Sequence, residues 1–147
     1  MLKKREILVF VINCTWGIIQ SCAGLIIFLY YINKPHYRYK GSIVTTNAKP
    51  RFIPVKGEYG FSTGIFIFLS YNIEKERAAN DDTVKHEYGH CMQSLLLGPL
   101  NLFVIAIPSS VWFHFFQSWR IKHNKSYYWL YTESWADKWG KVNRGEN

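Results

Sequence analysis

The longest apolar run of the chain, ILVFVINCTWGIIQSCAGLIIFLYYI (residues 7–32), contains no charged residue and predicts one continuous helix. At 1.5 Å per residue that helix would be about 39 Å long, more than the roughly 30 Å hydrocarbon core of a bilayer. Tyr30 and Tyr31 stand at its far end, where interfacial aromatics belong, and Lys3, Lys4 and Arg5 precede it. The run is too long for the apolar stretch of a cleaved signal peptide. The expected organisation is an N-terminal membrane anchor helix over residues 1–33 and a separate domain over 34–147.

Beyond the anchor the pattern changes period. NKPHYRYK (33–40) reads as a juxtamembrane connector. GSIVTT (41–46) and FSTGIFIFLS (61–70) are β-branched and aromatic with glycine at their edges, and predict strands. Between them NAKPRFIPVKGEYG holds two prolines and two glycines, an irregular loop. A helix is predicted from the cap candidates Asp81, Asp82 and Thr83 to the stop at Gly98-Pro99. Within it Val84, Tyr88, Cys91 and Leu95 form one apolar stripe, while His86, His90, Gln93 and Leu97 lie on another. Residues 93–117 are again free of charge, but Pro99, Asn101 and Pro108 interrupt them. A turn over 98–108 and a helix from 109 or 110 to 122 are expected. YYWLYTESWADKWGKV (127–142) predicts a last helix. The fold class is α+β: a small sheet edge with a motif helix and C-terminal helices.

With 147 residues the chain suits one small domain and an appendage. Hydrophobic residues make up 48% and aromatic residues 18%, which excludes a disordered chain. The net charge is +8. Lys34, Arg38, Lys40, Lys49 and Arg51 follow the anchor with no acidic residue before Glu58, a cluster suited to anionic lipid headgroups. By a small margin the basic count favours a cytoplasmic C-terminal part, in a bacterial inner membrane with a single-pass anchor. No recognition motif accompanies these charges, so nucleic acid is not an expected partner. Cys14, Cys22 and Cys91 give no disulfide framework.

The candidate chemistry lies in VKHEYGHCMQ (84–93). Side chains four apart share a helix face, so His86 and His90 can hold one Zn²⁺ through imidazole nitrogens. Glu87 points beside the metal, where it can take a proton from a zinc-bound water. This is the HExxH arrangement. A catalytic zinc needs a third protein ligand, and TESWAD (132–137) offers Glu133. Asp137, one turn on, would accept the outer N–H of a ligating histidine and fix its tautomer. His114, among aromatics in WFHFF, is a rival third ligand.

In these residues the chain resembles a gluzincin metallopeptidase of the thermolysin-like class, in which HExxH is followed on a later helix by Glu-x-x-x-Asp. The resemblance implies a zincin-like domain with Zn²⁺ on His86, His90 and Glu133, Glu87 as general base, and a peptide or protein substrate. The chain is also similar to small bacterial membrane proteins that join an HE-aromatic-GH motif to QS, GPL and a later E-x-x-A-D. Gluzincins commonly carry Asn before the ligating Glu; here it is Thr132. His123, Tyr127, Tyr128 and Tyr131 are candidates for the transition-state donor.

The expected protein is therefore a membrane-anchored zinc metallopeptidase, held in the bilayer by residues 7–32. For Glu133 to reach the histidines, residues 91–132 must leave and return on one side, so 95–117 is expected as a buried or re-entrant hairpin. Zincins bind extended peptide along a strand edge, and residues 64–70 are the candidate edge. Two other readings compete: a non-catalytic membrane protein with a structural zinc or no metal, and an intramembrane protease.

Overall fold

The computed structural model describes residues 4–51, 53 and 57–144. Positions 52 and 54–56 of the expected loop, and the outermost three residues at each end of the chain, lie outside these. The architecture is mixed α+β, a small sheet among seven α-helices in the described residues.

Residues 7–32 do not form the single helix expected. Helix α1 (Lys4–Thr15) and helix α2 (Ile18–Tyr30) meet at 97°. The polar residues of the run explain the bend. Thr15 Oγ1 bonds back to the carbonyl of Val11 at 2.9 Å, which competes with the helix ladder. Ser21 Oγ donates to the carbonyl of Asn13 at 2.8 Å, so the broken ladder is satisfied across the elbow. Among the described residues no single helix is long and apolar enough to cross a membrane.

The expected connector contains strand β1 (His36–Tyr39), which pairs antiparallel with β2 (Ser42–Thr45). Strands β3 (Gly60–Thr63) and β4 (Phe66–Leu69) form a hairpin, and β4 runs parallel to β2. The order is β1-β2-β4-β3. Residues 64–70 are thus not the edge: β4 is central and buried at every position, while β3 is the edge. A central strand reads as a continuous apolar run, and FIFL is one. Phe68 and Ile67 are fully buried, each contributing about 1.5–3 kcal/mol by removal from water.

The hairpin turn is also the seat of the N-terminal helices. Gly64 has φ +59°, a left-handed conformation that glycine adopts without steric cost. A Cβ there would lie 2.6 Å from the Ser21 backbone. Thr63 Oγ1 donates to the carbonyl of Gln20 at 2.9 Å. Phe28 of α2 packs on Phe66, ring centroids 5.4 Å apart, so residues 1–33 and 34–147 share one apolar cluster.

On the sheet's other side lies a second cluster. It joins Tyr39, Val44, Ile67 and Leu69 to Ala78, from the short helix α3 (Lys75–Ala78), and to Val84, Tyr88 and Cys91. The last three lie on helix α4 (Asp82–Leu97), the predicted motif helix with its predicted apolar stripe. Asp81 caps it, its carboxylate accepting from the backbone N–H of Val84 at 2.8 Å, and Gly98 ends it at φ +52°.

After a 3₁₀ turn (Gly98–Leu100) the chain bends by 119° and stays helical, through a π turn (Leu102–Ala106) into α5 (Ile107–Phe115). The expected turn over 98–108 is only its first part. Pro108 follows the π turn, and the carbonyl of Val104, four residues before it, accepts from the Tyr131 hydroxyl instead, so the helix continues through it. Phe116 separates α5 from α6 (Gln117–Lys122). The last predicted helix begins as a 3₁₀ turn (Tyr127–Trp129), and α7 runs from Tyr131 to Gly140. It packs directly on α4.

Candidate metal centre

Helices α4 and α7 bring His86, His90 and Glu133 together, with one ligand atom from each lying within 4.8 Å of the others. The Nε2 atoms of His86 and His90 lie 3.2 and 3.4 Å from the same Glu133 oxygen, Oε2. Ligand atoms about 2.1 Å from a tetrahedral ion would be about 3.4 Å apart, so these two distances suit a group that could hold a metal ion.

The outer nitrogens are both occupied. His86 Nδ1 lies 2.6 Å from Asp137 Oδ1. A carboxylate only accepts, so Nδ1 carries the proton and Nε2 turns its lone pair to the centre once the ring is neutral. His90 Nδ1 lies 2.7 Å from Gln93 Oε1. The Gln93 amide cannot be reversed, because its Nε2 donates to the carbonyl of Thr132 at 2.8 Å. Each histidine therefore presents Nε2 inward.

The carboxylates are held as firmly. Glu133 is fully buried. Its Oε1 accepts from Ser109 Oγ and, at 3.2 Å, from Thr132 Oγ1, leaving Oε2 for the centre. Asp137 accepts from Arg144, Nε to Oδ2 at 2.6 Å, and the guanidinium lies over the Tyr128 ring. Glu87 projects beside the cluster, and Ser62 Oγ of β3 donates to its Oε2 at 2.7 Å.

Packed this way, the groups change acidity. Burial lowers the His86 imidazole, but hydrogen bonds to Asp137 and Glu133 outweigh it and push its pKa up to about 9. Burial raises Glu133, yet the hydrogen bonds from His86 and His90 hold it well below the usual carboxylate range. Cys91, next to His90 in sequence, faces the core instead, and burial pushes its thiol up to about 12. It is no thiolate ligand.

A cavity of about 550 Å³ opens over the cluster. Its walls include β3, His86, Glu87, His90, Ser109, Phe113, Tyr127 and Tyr128. Of the donor candidates, Tyr127 and Tyr128 reach this cavity. His123 stacks on Trp119, and the Tyr131 hydroxyl bonds the carbonyl of Val104 at 2.6 Å. His114 lines the cavity but lies outside the three-residue cluster.

The residues not foreseen are Gln93, Ser109, Ser62 and Arg144. Gln93 alone left a trace in the sequence, three positions after His90 on the histidine stripe. The chain matches no protein-family model, no curated protein and no solved structure.

Proposed function

We propose that the chain is a zinc-dependent metallopeptidase, attached to a membrane through residues 7–32. The observation that carries this reading is the convergence of His86, His90 and Glu133 on one point, with Glu87 beside it and a cavity above. Two imidazoles and one carboxylate leave an open coordination position, the pattern of catalytic rather than structural zinc. A divalent cation held there would supply Lewis acidity, acidifying a water and polarising a peptide carbonyl.

The chain's own residues do the rest. Glu87 accepts a proton from the water that adds to the peptide carbonyl carbon. It then delivers that proton to the departing amide nitrogen as the C–N bond breaks. Ser62 holds the carboxylate in place through Oε2. Strand β3, outermost in the sheet of the described residues, lines the cavity next to Glu87, where an extended peptide would lie along it. Asp137 and Gln93 keep both imidazoles in one tautomer.

The test is metal analysis and peptide hydrolysis by wild type and by Glu87→Gln. One zinc per chain in both, with hydrolysis only in wild type, is the expected result. A metal-free wild type, or a Glu87→Gln protein that still hydrolyses, would end this reading.

A further inference from the structure

Helix α2 is inside out for a water-soluble protein. It buries Gln20, Ser21 and Gly24, and exposes Ile18, Ile19, Leu25, Ile26 and Leu29. An amphipathic helix on a wet surface does the reverse. The same inversion recurs eighty residues later. Asn101 is buried and Ser109 turns in to Glu133, while Leu102, Phe103, Val104, Ile107 and Val111 face outward.

The two inverted segments adjoin at their bends. Gln20 Nε2 donates to the carbonyl of Gly98 at 2.9 Å, and the Trp16 indole N–H points at the carbonyl of Leu96 at 3.4 Å. Polar contacts thus face inward at the seam, and the apolar exteriors are left outside. Exposed apolar area of this extent marks a surface with a partner.

Charge identifies the partner. No acidic residue occurs from 7 to 57 or from 88 to 132. Lys34, Arg38 and Lys40 follow the first segment; Arg120, Lys122 and Lys125 follow the second, with the exposed Trp119 and Trp129 among them. Apolar faces ending in aromatic and basic residues match a bilayer with anionic headgroups. Length limits how they enter. Helix α2 spans about 20 Å and residues 102–115 about 21 Å, both short of the roughly 30 Å core.

We infer that Leu102–Phe115 is a second lipid-facing surface, continuous with the first, and that the chain enters one leaflet through both elbows without crossing. This rests on the membrane attachment proposed above and is independent of the hydrolysis. Residues 105, 106, 109, 110 and 113 also wall the cavity, so the candidate metal centre lies directly beneath the lipid-facing helix.

The experiment uses the full-length protein in vesicles of phosphatidylethanolamine and phosphatidylglycerol containing a phospholipid with a mid-chain diazirine. After photolysis, mass spectrometry should find lipid adducts on both 18–29 and 102–111, and none on the polar helix Lys75–Ala78. In sealed vesicles a membrane-impermeant amine reagent should modify Lys4 and Lys34 on the same molecules. Adducts confined to 18–29 would overturn the second surface while leaving the attachment intact. Adducts on neither segment, or protein–protein cross-links in their place, would remove both. Molecules modified at Lys4 or Lys34 but never at both would show a crossing segment and overturn the one-leaflet entry.

Discussion

A methyl group added to Gly89 would lie 2.0 Å from the carbonyl oxygen of Ala136. Gly140 meets the carbonyl of Lys85 just as closely. Helices α4 and α7 thus touch backbone to backbone, which sets the distance from the two histidines to Glu133. Gly89→Ala must push the helices apart, at a cost of about 1–3 kcal/mol or more. The variant should melt at lower temperature and bind zinc weakly, as differential scanning calorimetry and metal analysis will read. Unchanged zinc content would mean that α7 is free to shift.

Gln93→Leu removes the acceptor for His90 Nδ1 and leaves the Thr132 carbonyl buried without its partner. Loss of such an outer contact typically lowers metal affinity by about 10–100-fold. Asp137→Asn should act in the same direction through His86. Competition with a chromophoric chelator measures both.

Ser62→Ala should leave zinc content unchanged and lower kcat by about tenfold, the effect of losing a charge-assisted hydrogen bond of about 1.5 kcal/mol. A fall in zinc content would instead place Ser62 in the fold of the centre rather than in the positioning of Glu87.

Acidity fixes two pH dependences. His86 is raised from 6.5 to about 9, so in the metal-free protein its ionised contacts stabilise fully below pH 6.5 and are lost as pH climbs to about 9. Glu133 and Asp137 are depressed below 4.5 and 3.8, so their share is present above those values and lost as pH falls through the folded ones. Metal-free stability should therefore plateau between pH 4.5 and 6.5. Zinc must displace the His86 proton, so affinity should rise with pH up to about 9, by about tenfold per unit for each proton released. Denaturant titration follows the first, calorimetry in buffers of different ionisation enthalpy the second.

A chain beginning at residue 34 should not fold. It would expose Phe66, which packs against Phe28 of α2, and leave Thr63 without the carbonyl of Gln20. Circular dichroism of that fragment, expected to lack a cooperative melt, is the check.

The motif helix was legible because its signals are local: a capping Asp81, a stop at Gly98 and a four-residue histidine spacing. Glu133 and Asp137 were legible for the same reason, and the fold brings them to the histidines. What escaped depends on partners distant in sequence. Gln93 acquires its role only when the Thr132 carbonyl arrives on α7. The sheet order turns on a parallel pairing of β2 with β4, which no pattern within either strand reveals. The elbow at 16–17 was hidden because no charge interrupts the apolar run, whereas Asn13, Gln20 and Ser21 turn inward and Ser21 bonds across the break.

Ser21 seated against Gly64 leaves no slack between the first helices and the hairpin that carries Ser62. If the chain is the membrane-attached peptidase proposed above, this close seating would hold the Ser62 hairpin at one height over the lipid surface and favour bonds presented at that height.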